Sequence, residues 1–435
     1  MVIGDYGNAG PDELAVATLV KSKDPEFIIT LGDNNYDAGS QATIDPNIGQ
    51  YFHEYIFPYT GSYGQGSDVN RFFPSLGNHD WETAGALPYL NYFTLPGNER
   101  YYDYIKGPVH FFVIDSDANE PDGRDSSSVQ AQWLKNKLAS SSSKFNIVYF
   151  HHPPYCSGLI QGSATIMRWP FKSWGASAVM SGHEHLYERL TINGLTYFVN
   201  GLGGNLRSVF GIPVSGSQVR YSAAYGAMIV SAYDDSLVVK FYNTSNSLRD
   251  NYKILPSQKI LNLTAEIEGL YDPVSNIMIT DTAEVYLRNT YPPFSVKDSA
   301  KGILSSAGYG TFSFTKADNA VNYYLIFRHR NSIETWSGAD MIFLYNNSSY
   351  DFTISPSKAY GNNLVLKGAE YCIFSGDVNR DGFIDLSDIV MIHNDASDFT
   401  SGYVVTDLNG DNIPDLADQL IAFNNSISFI SLIRP

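Results

Sequence analysis

Five times before residue 186 a run of apolar, β-favouring residues stops at a short polar motif. Val2-Ile3 runs into Gly4-Asp5-Tyr6-Gly7, Phe27 to Leu31 into Gly32-Asp33-Asn34-Asn35-Tyr36, and Phe72 to Leu76 into Gly77-Asn78-His79-Asp80. Ile147 to Phe150 ends at His151, and Ala178 to Met180 precedes Gly182-His183-Glu184-His185. Such runs read as buried strands, and in open α/β sheets ligands collect just beyond the carboxyl ends of the strands. A single Gly-Asp at a strand end is ordinarily a turn, and a single histidine after an apolar run is ordinarily a satisfied core residue. Five in order, delivering Asp, Asp with Tyr, Asn with His, His, and two His, imply one shared metal site on an α/β scaffold.

Carboxylate, amide and phenolate oxygens combined with imidazoles suit iron, manganese or zinc rather than calcium or an iron–sulfur cluster. Asp33 can bridge two ions because a carboxylate has two oxygens. Two metals about 3.5–4 Å apart clamp the attacking and leaving oxygens of an in-line displacement at phosphorus.

The order GDYG, GDNNY, GNHD, VYFH, GHEH resembles the calcineurin-like metallophosphoesterases, and specifically the purple acid phosphatases, over roughly residues 1–245. The resemblance implies a metallophosphoesterase β-sandwich flanked by helices. It also implies two transition-metal ions, iron paired with iron, zinc or manganese. Asp5, Tyr36 and His185 would hold the first, Asn78, His151 and His183 the second, and Asp33 would bridge. Tyr36 matches the family's ferric-iron phenolate. His79 matches its outer histidine, which contacts the phosphate and can protonate the leaving group. His185-Leu186-Tyr187-Glu188-Arg189 is also similar to the plant-type enzymes. Beside these, His152 reads as a substrate-facing residue, since a neighbour of a metal ligand points elsewhere. Asp80 and Glu184 read as partners that orient His79 or tune metal-bound water.

The remaining pattern sets the frame around this site. Pro11 at a helix start, with Asp12 and Glu13 in the first turn, opens a helix whose apolar face is Leu14, Ala17 and Val20. Residues 37–71 read as a loop-rich insertion overhanging the metals, with His53 and Arg71 as candidate phosphate contacts. Phe111 to Ile114 reads as a core strand, Gln130 to Leu138 as an amphipathic helix, and Asn200-Gly201-Leu202-Gly203-Gly204 as a tight turn beneath the site. Met228 to Val230 and Leu237 to Tyr242 close the first domain, and Asn243 to Lys259 reads as a polar linker. Only three residues precede Gly4, so an upstream segment, including any export signal, is expected to have been removed or omitted.

At 435 residues and 43% hydrophobic the chain suits two or three domains. Domains are expected at 1–248, 256–374 and 375–435. Runs such as Ile260 to Thr264, Ala283 to Leu287, Thr311 to Phe314 and Tyr323 to Phe327 alternate between turns, the pattern of an all-β sandwich. The formal charge of −17 argues against nucleic-acid binding, and no apolar stretch reaches the length of a membrane span. Cys156 and Cys372 lie too far apart to suggest a disulfide.

The last sixty residues contain a repeat offset by thirty. Asp377, Asn379, Asp381, Phe383, Asp385 and Asp388 recur as Asp407, Asn409, Asp411, Ile413, Asp415 and Asp418. This is EF-hand calcium spacing with Asp at position 12, the residue at position 7 offering a backbone carbonyl. The repeat resembles a dockerin, a small helical module expected to bind two Ca²⁺ and a cohesin-like or cell-surface partner. It departs from cellulosomal dockerins at Ala417 and Pro414.

Together these features predict a secreted or surface-attached phosphatase. It would hydrolyse phosphomonoesters by attack of a metal-bound hydroxide and be tethered through the C-terminal module. A phosphodiesterase or nucleotidase using the same ligands, and a structural or adhesive surface protein retaining a phosphatase fold, are the alternatives.

Overall fold

The computed structural model describes residues 1–344 and 346–435. The chain divides into two compact units, Met1–Ser257 and Gln258–Pro435.

Two sheets form the first unit. One runs in the order Leu248–Ile254, Leu237–Asn243, Gly226–Ala232, Val2–Ile3, Ile28–Thr30, Phe72–Pro74. The other runs Ser217–Tyr221, Tyr187–Ile192, Leu195–Asn200, Ala178–Ser181, Phe145–Tyr149, Val109–Val113, Tyr102–Lys106. Within each, the strands that end in the motifs are parallel to one another, so their carboxyl ends share an edge. The sheets pack face to face. Tyr187 stacks on Phe241 from the opposite sheet with centroids 4.1 Å apart, and the Tyr149 hydroxyl donates to the Phe73 carbonyl across the layer at 2.9 Å. The outer face of the second sheet is covered by the helix Val129–Ser140 through Ala131, Leu134 and Leu138.

Several expectations change here. The helix Pro11–Lys21 buries Val16, Ala17, Leu19 and Val20, while Leu14 is 55% exposed. Glu13 is buried instead, because its carboxylate accepts the amide hydrogens of Asn8 and Ala9 at 3.0 and 2.8 Å and closes the first motif. Residues 37–71 are not simply a loop: helical turns over Asp45–Gly49, Gln50–Phe52 and His53–Tyr55 bury Ile48, Tyr51, Phe52 and Tyr55. Arg71 is spent on the carbonyls of Pro25 and Glu26 and lies over the Tyr55 ring. The expected linker holds the strand Leu248–Ile254, whose Asp250 accepts from Arg189 and Tyr187. Its polar outward residues disguise an edge strand.

In the second unit, Asp281–Asn289 and Lys259–Thr264 alternate buried and half-buried positions, as strands with one covered face must. The sheets enclose a core including Leu261, Val285, Leu325, Phe327 and Phe352. The loop–helix repeats at 377–427 belong to this same unit. The Asn331 amide donates to the Asp407 carbonyl at 2.8 Å, and the Asn425 amide donates to Glu268 and to the Ser375 carbonyl. The helices are Leu386–Ser397 and Leu416–Ile427, with Asp385 and Asp415 as N-caps. Ile392 and Ala422 are buried between them, with Ile389 and Ile421 beside them, whereas Val390, Leu420 and Phe423 are exposed. No helix of the described residues is long and apolar enough to cross a membrane. Cys156 and Cys372 are free and buried, in different units.

Candidate metal centre

The motif strands end at one place, and close backbone approach puts them there. A Cβ at Gly77 would stand 2.3 Å from the Asp33 amide nitrogen and Oδ1, and one at Gly182 would stand 2.5 Å from Asp5 Oδ2. Asp5, Asp33 and His183 adopt φ of 57°, 51° and 69°. Strain of this kind in non-glycine residues persists where the surroundings over-determine it, and it clusters at functional sites.

Asp5, Asp33, Tyr36 and His151 form a buried floor. On one side the Tyr36 hydroxyl lies 3.3 Å from Asp5 Oδ1, 3.0 Å from Asp33 Oδ2 and 3.3 Å from His185 Nε2. On the other, His151 Nε2 lies 3.0 Å from both Asn78 Oδ1 and His183 Nδ1, and 3.3 Å from Asp33 Oδ2. Asp33 Oδ2 thus serves both groups alone, since Oδ1 accepts the His79 amide hydrogen at 3.0 Å.

The donor chemistry tests whether cations fit. His151 Nδ1 faces the Leu31 carbonyl at 2.8 Å and His185 Nδ1 faces that of Leu206 at 2.5 Å. A ring nitrogen facing a carbonyl carries the proton, so both Nε2 atoms turn lone pairs toward the carboxylates. Lone pairs converging on lone pairs call for positive charge. Burial alone would lower the His151 pKa, but the Asp33 carboxylate raises it to about 10. Burial and the His151 charge push His183 down to about 4. Burial, then Asp33 and Asp5, push the Tyr36 phenol well above its ordinary value. The set fits two cations.

His79 lies at the mouth, its ring 4.5 Å from that of Tyr36 and its Nδ1 facing the Asp37 carbonyl, which leaves Nε2 free. His152 is held by Ser116, whose Oγ lies 2.8 Å from its Nδ1, and its ring lies 4.3 Å from that of His183. Burial and the neighbouring His151 and His183 hold its pKa well below the usual value. Asp80 departs from expectation. Its carboxylate accepts from the Gly77 amide at 2.9 Å and the Asn34 side chain at 2.9 Å, with no contact to His79. It braces two motif turns and is buried. Glu184 likewise braces backbone, accepting from the amides of Gln161 and Gly162 at 2.6 Å. His53 is turned to its own helical segment through Gly49.

Sequence reading missed Asn34, which ties Thr30, Ser75 and Asp80 together. It also missed Asp115, which accepts from the Trp81 indole at 2.7 Å behind the third motif. Only the position of Asn34 beside Asp33 offered a signal. Asp115 and Trp81 are thirty-four residues apart and meet only in the fold.

The calcineurin-like phosphoesterase family matches residues 1–187. This stretch is a calcineurin-like metallophosphoesterase domain. Comparison with curated proteins gives no match. Among solved structures, the domain is similar to GAP50, the anchor in the inner membrane complex of Plasmodium, at 19% identity and TM-score 0.48, covering 59% of this chain and 88% of that one. It is also similar to the purple acid phosphatase PPD1 from yellow lupin (Lupinus luteus) seeds, at 17% identity and TM-score 0.47, covering 58% of this chain and 53% of that one.

In the second unit the carboxylate at position twelve of each acidic loop accepts the same three backbone amides. Asp388 accepts from the amides of Val378, Asn379 and Asp385, and Asp418 from those of Leu408, Asn409 and Asp415. Loop positions four and six, Arg380 with Gly382 and Gly410 with Asn412, all take positive φ. Among the described residues, groups of three or more His, Cys, Asp or Glu ligand atoms lying within 4.8 Å of one another occur only in the metallophosphoesterase domain.

Proposed function

We propose that this protein is a secreted phosphomonoesterase of the purple acid phosphatase type, working with a pair of metal ions of which one is ferric. One observation carries the reading: the Tyr36 hydroxyl and six other donors converge in two groups that share Asp33 Oδ2. Asp5, Tyr36 and His185 would hold one ion, Asn78, His151 and His183 the other, with Asp33 between them. When bound, such ions supply Lewis acidity that activates water and neutralises charge building on the phosphoryl oxygens.

The chain's own residues do the rest. Buried Asp33 and Asp5 fix the floor, and backbone donation from His79 and His183 keeps their oxygens aimed. His79, with Nε2 free at the mouth, binds a phosphoryl oxygen and delivers a proton to the departing alkoxide. Neutral His152, oriented by Ser116, donates a second hydrogen bond to the phosphoryl group. The C-terminal repeat is proposed to bind two Ca²⁺ as a dockerin-like docking module. Its carboxylates at matched loop positions support that reading, and a cohesin-like or surface partner would fix the enzyme outside the cell.

Metal analysis and a visible spectrum of purified protein, with assays on mono-aryl and bis-aryl phosphates, test the proposal. Two metals per chain, a phenolate-to-iron band and a preference for monoesters are expected. A preference for diesters would make the enzyme a phosphodiesterase, and inactive metal-free protein would leave only the fold.

A further inference from the structure

Residues 258–435 contain eleven Lys and Arg against twenty-one Asp and Glu. Every cation in such a unit has carboxylates to choose from, so arginines left unpaired together need an explanation. Arg288, Arg380 and Arg434 line one cavity of about 230 Å³, and among the described residues none of the three is ion-paired with a carboxylate. Arg328 lines it too, but is matched with Glu334. An adjoining cavity of about 180 Å³ shares Arg328, His329 and Arg380 and adds Lys301 and Arg330. Six of the eleven cations therefore meet at one place.

Among the described residues, two buried donors in the wall of the first cavity have no hydrogen-bond partner. The Ser332 side chain is only 3% exposed and its Oγ has no hydrogen bond. Arg288 donates through Nη1 to the Phe294 carbonyl at 3.0 Å, but its Nε is buried and unused. A buried donor left unsatisfied forfeits its solvation without compensation, more so when charged, so such groups point to a missing acceptor. Asp377 and Asp381 also line the cavity, yet their oxygens accept the amide hydrogens of Asp381, Gly382 and Phe383 in their own loop.

We propose that this cavity binds a tetrahedral oxyanion of the phosphate or sulfate type, free or carried on a chain. Arg288 Nε and Ser332 Oγ would contact it from the wall, while Arg380 and Arg434 supply charge at the rim. Arginine forks and a hydroxyl suit such an anion.

The test is hydrogen exchange on the full chain with inorganic phosphate, against sodium chloride of equal ionic strength. Reading exchange in the second unit separates this site from the metal centre. Phosphate should slow exchange at 328–334 and 380–384 where chloride does not. Arg288→Gln should weaken that protection at least about tenfold. Ser332→Ala should weaken it without loss of stability, because it removes an unsatisfied group. Should Arg288→Gln unfold, Arg434→Gln at an exposed position carries the same expectation. Polyphosphate binding at least tenfold more tightly than inorganic phosphate would assign the anion to a chain, and equal binding would assign a free anion. Equal protection by chloride, or protection unchanged in folded variants, would overturn the proposal.

Discussion

Tyr36 shows how much one side chain decides. Buried beside two carboxylates, its phenol resists ionisation, so only a strongly Lewis-acidic cation makes it a phenolate. Tyr36→Phe should therefore abolish the visible band with the fold intact; a colourless wild-type enzyme containing only zinc or manganese would remove iron from the reading. His79→Ala should lower turnover by about 10²–10⁴-fold with metal content unchanged, since it removes a proton donor and no ligand. His151→Ala should instead lose metal, and equal metal loss in both would mean that His79 is an inner ligand. In the second unit Asp281 is 7% exposed and lies 3.0 Å from both His329 Nε2 and Arg330 Nε. Burial alone would raise its pKa, but hydrogen bonds from His329 and Tyr403 hold it well below the usual range. Its stabilising effect is thus present above the unfolded value, about 4, and is lost as pH falls below that. Asp281→Asn should cost about 3 kcal/mol at neutral pH and flatten the acid dependence, read from urea midpoints at several pH values.

At the scale of elements, the site depends on turns more than on strands. Gly77 stands where any Cβ meets the Asp33 backbone. Gly77→Ala should displace Asp33 and lower metal occupancy, visible by metal analysis, while retained occupancy would show that the turn can relax. The acidic loops make the opposite case, since their backbone is already ordered by their own carboxylates. Burial and the neighbouring Asp388 charge push Asp377 up to about 7. Calcium should relieve this, so chelation should speed amide exchange across 376–430 while phosphatase activity persists. Unchanged exchange would refute the calcium reading.

The whole molecule is two units with separate cores, divided between Ser257 and Gln258. Because Leu248–Ile254 completes the first sheet and its Asp250 pairs with Arg189 of the facing sheet, a chain ending at 257 should keep activity. One ending at 247 should aggregate or lose it, as comparative expression and assay would show. The loop–helix segment shares hydrogen bonds with Asn331 and Ser375 before it, so deleting residues 376–435 should destabilise that unit rather than simply shorten it.

By itself the sequence determined the motif order, the apolar runs that end in each motif, and hence the seven side chains brought to one edge. These are local patterns, because strand and turn chemistry acts over a few residues. The tertiary structure alone decided which atoms face which. One oxygen of Asp33 serves both groups, His183 offers Nδ1 where His151 offers Nε2, and Asp80 braces Asn34 instead of orienting His79. It also decided that the polar stretch after 243 is an edge strand and that Leu14 lies outside the core. Each of these turns on contacts between residues far apart in the chain, where burial and pairing override what neighbouring residues prefer.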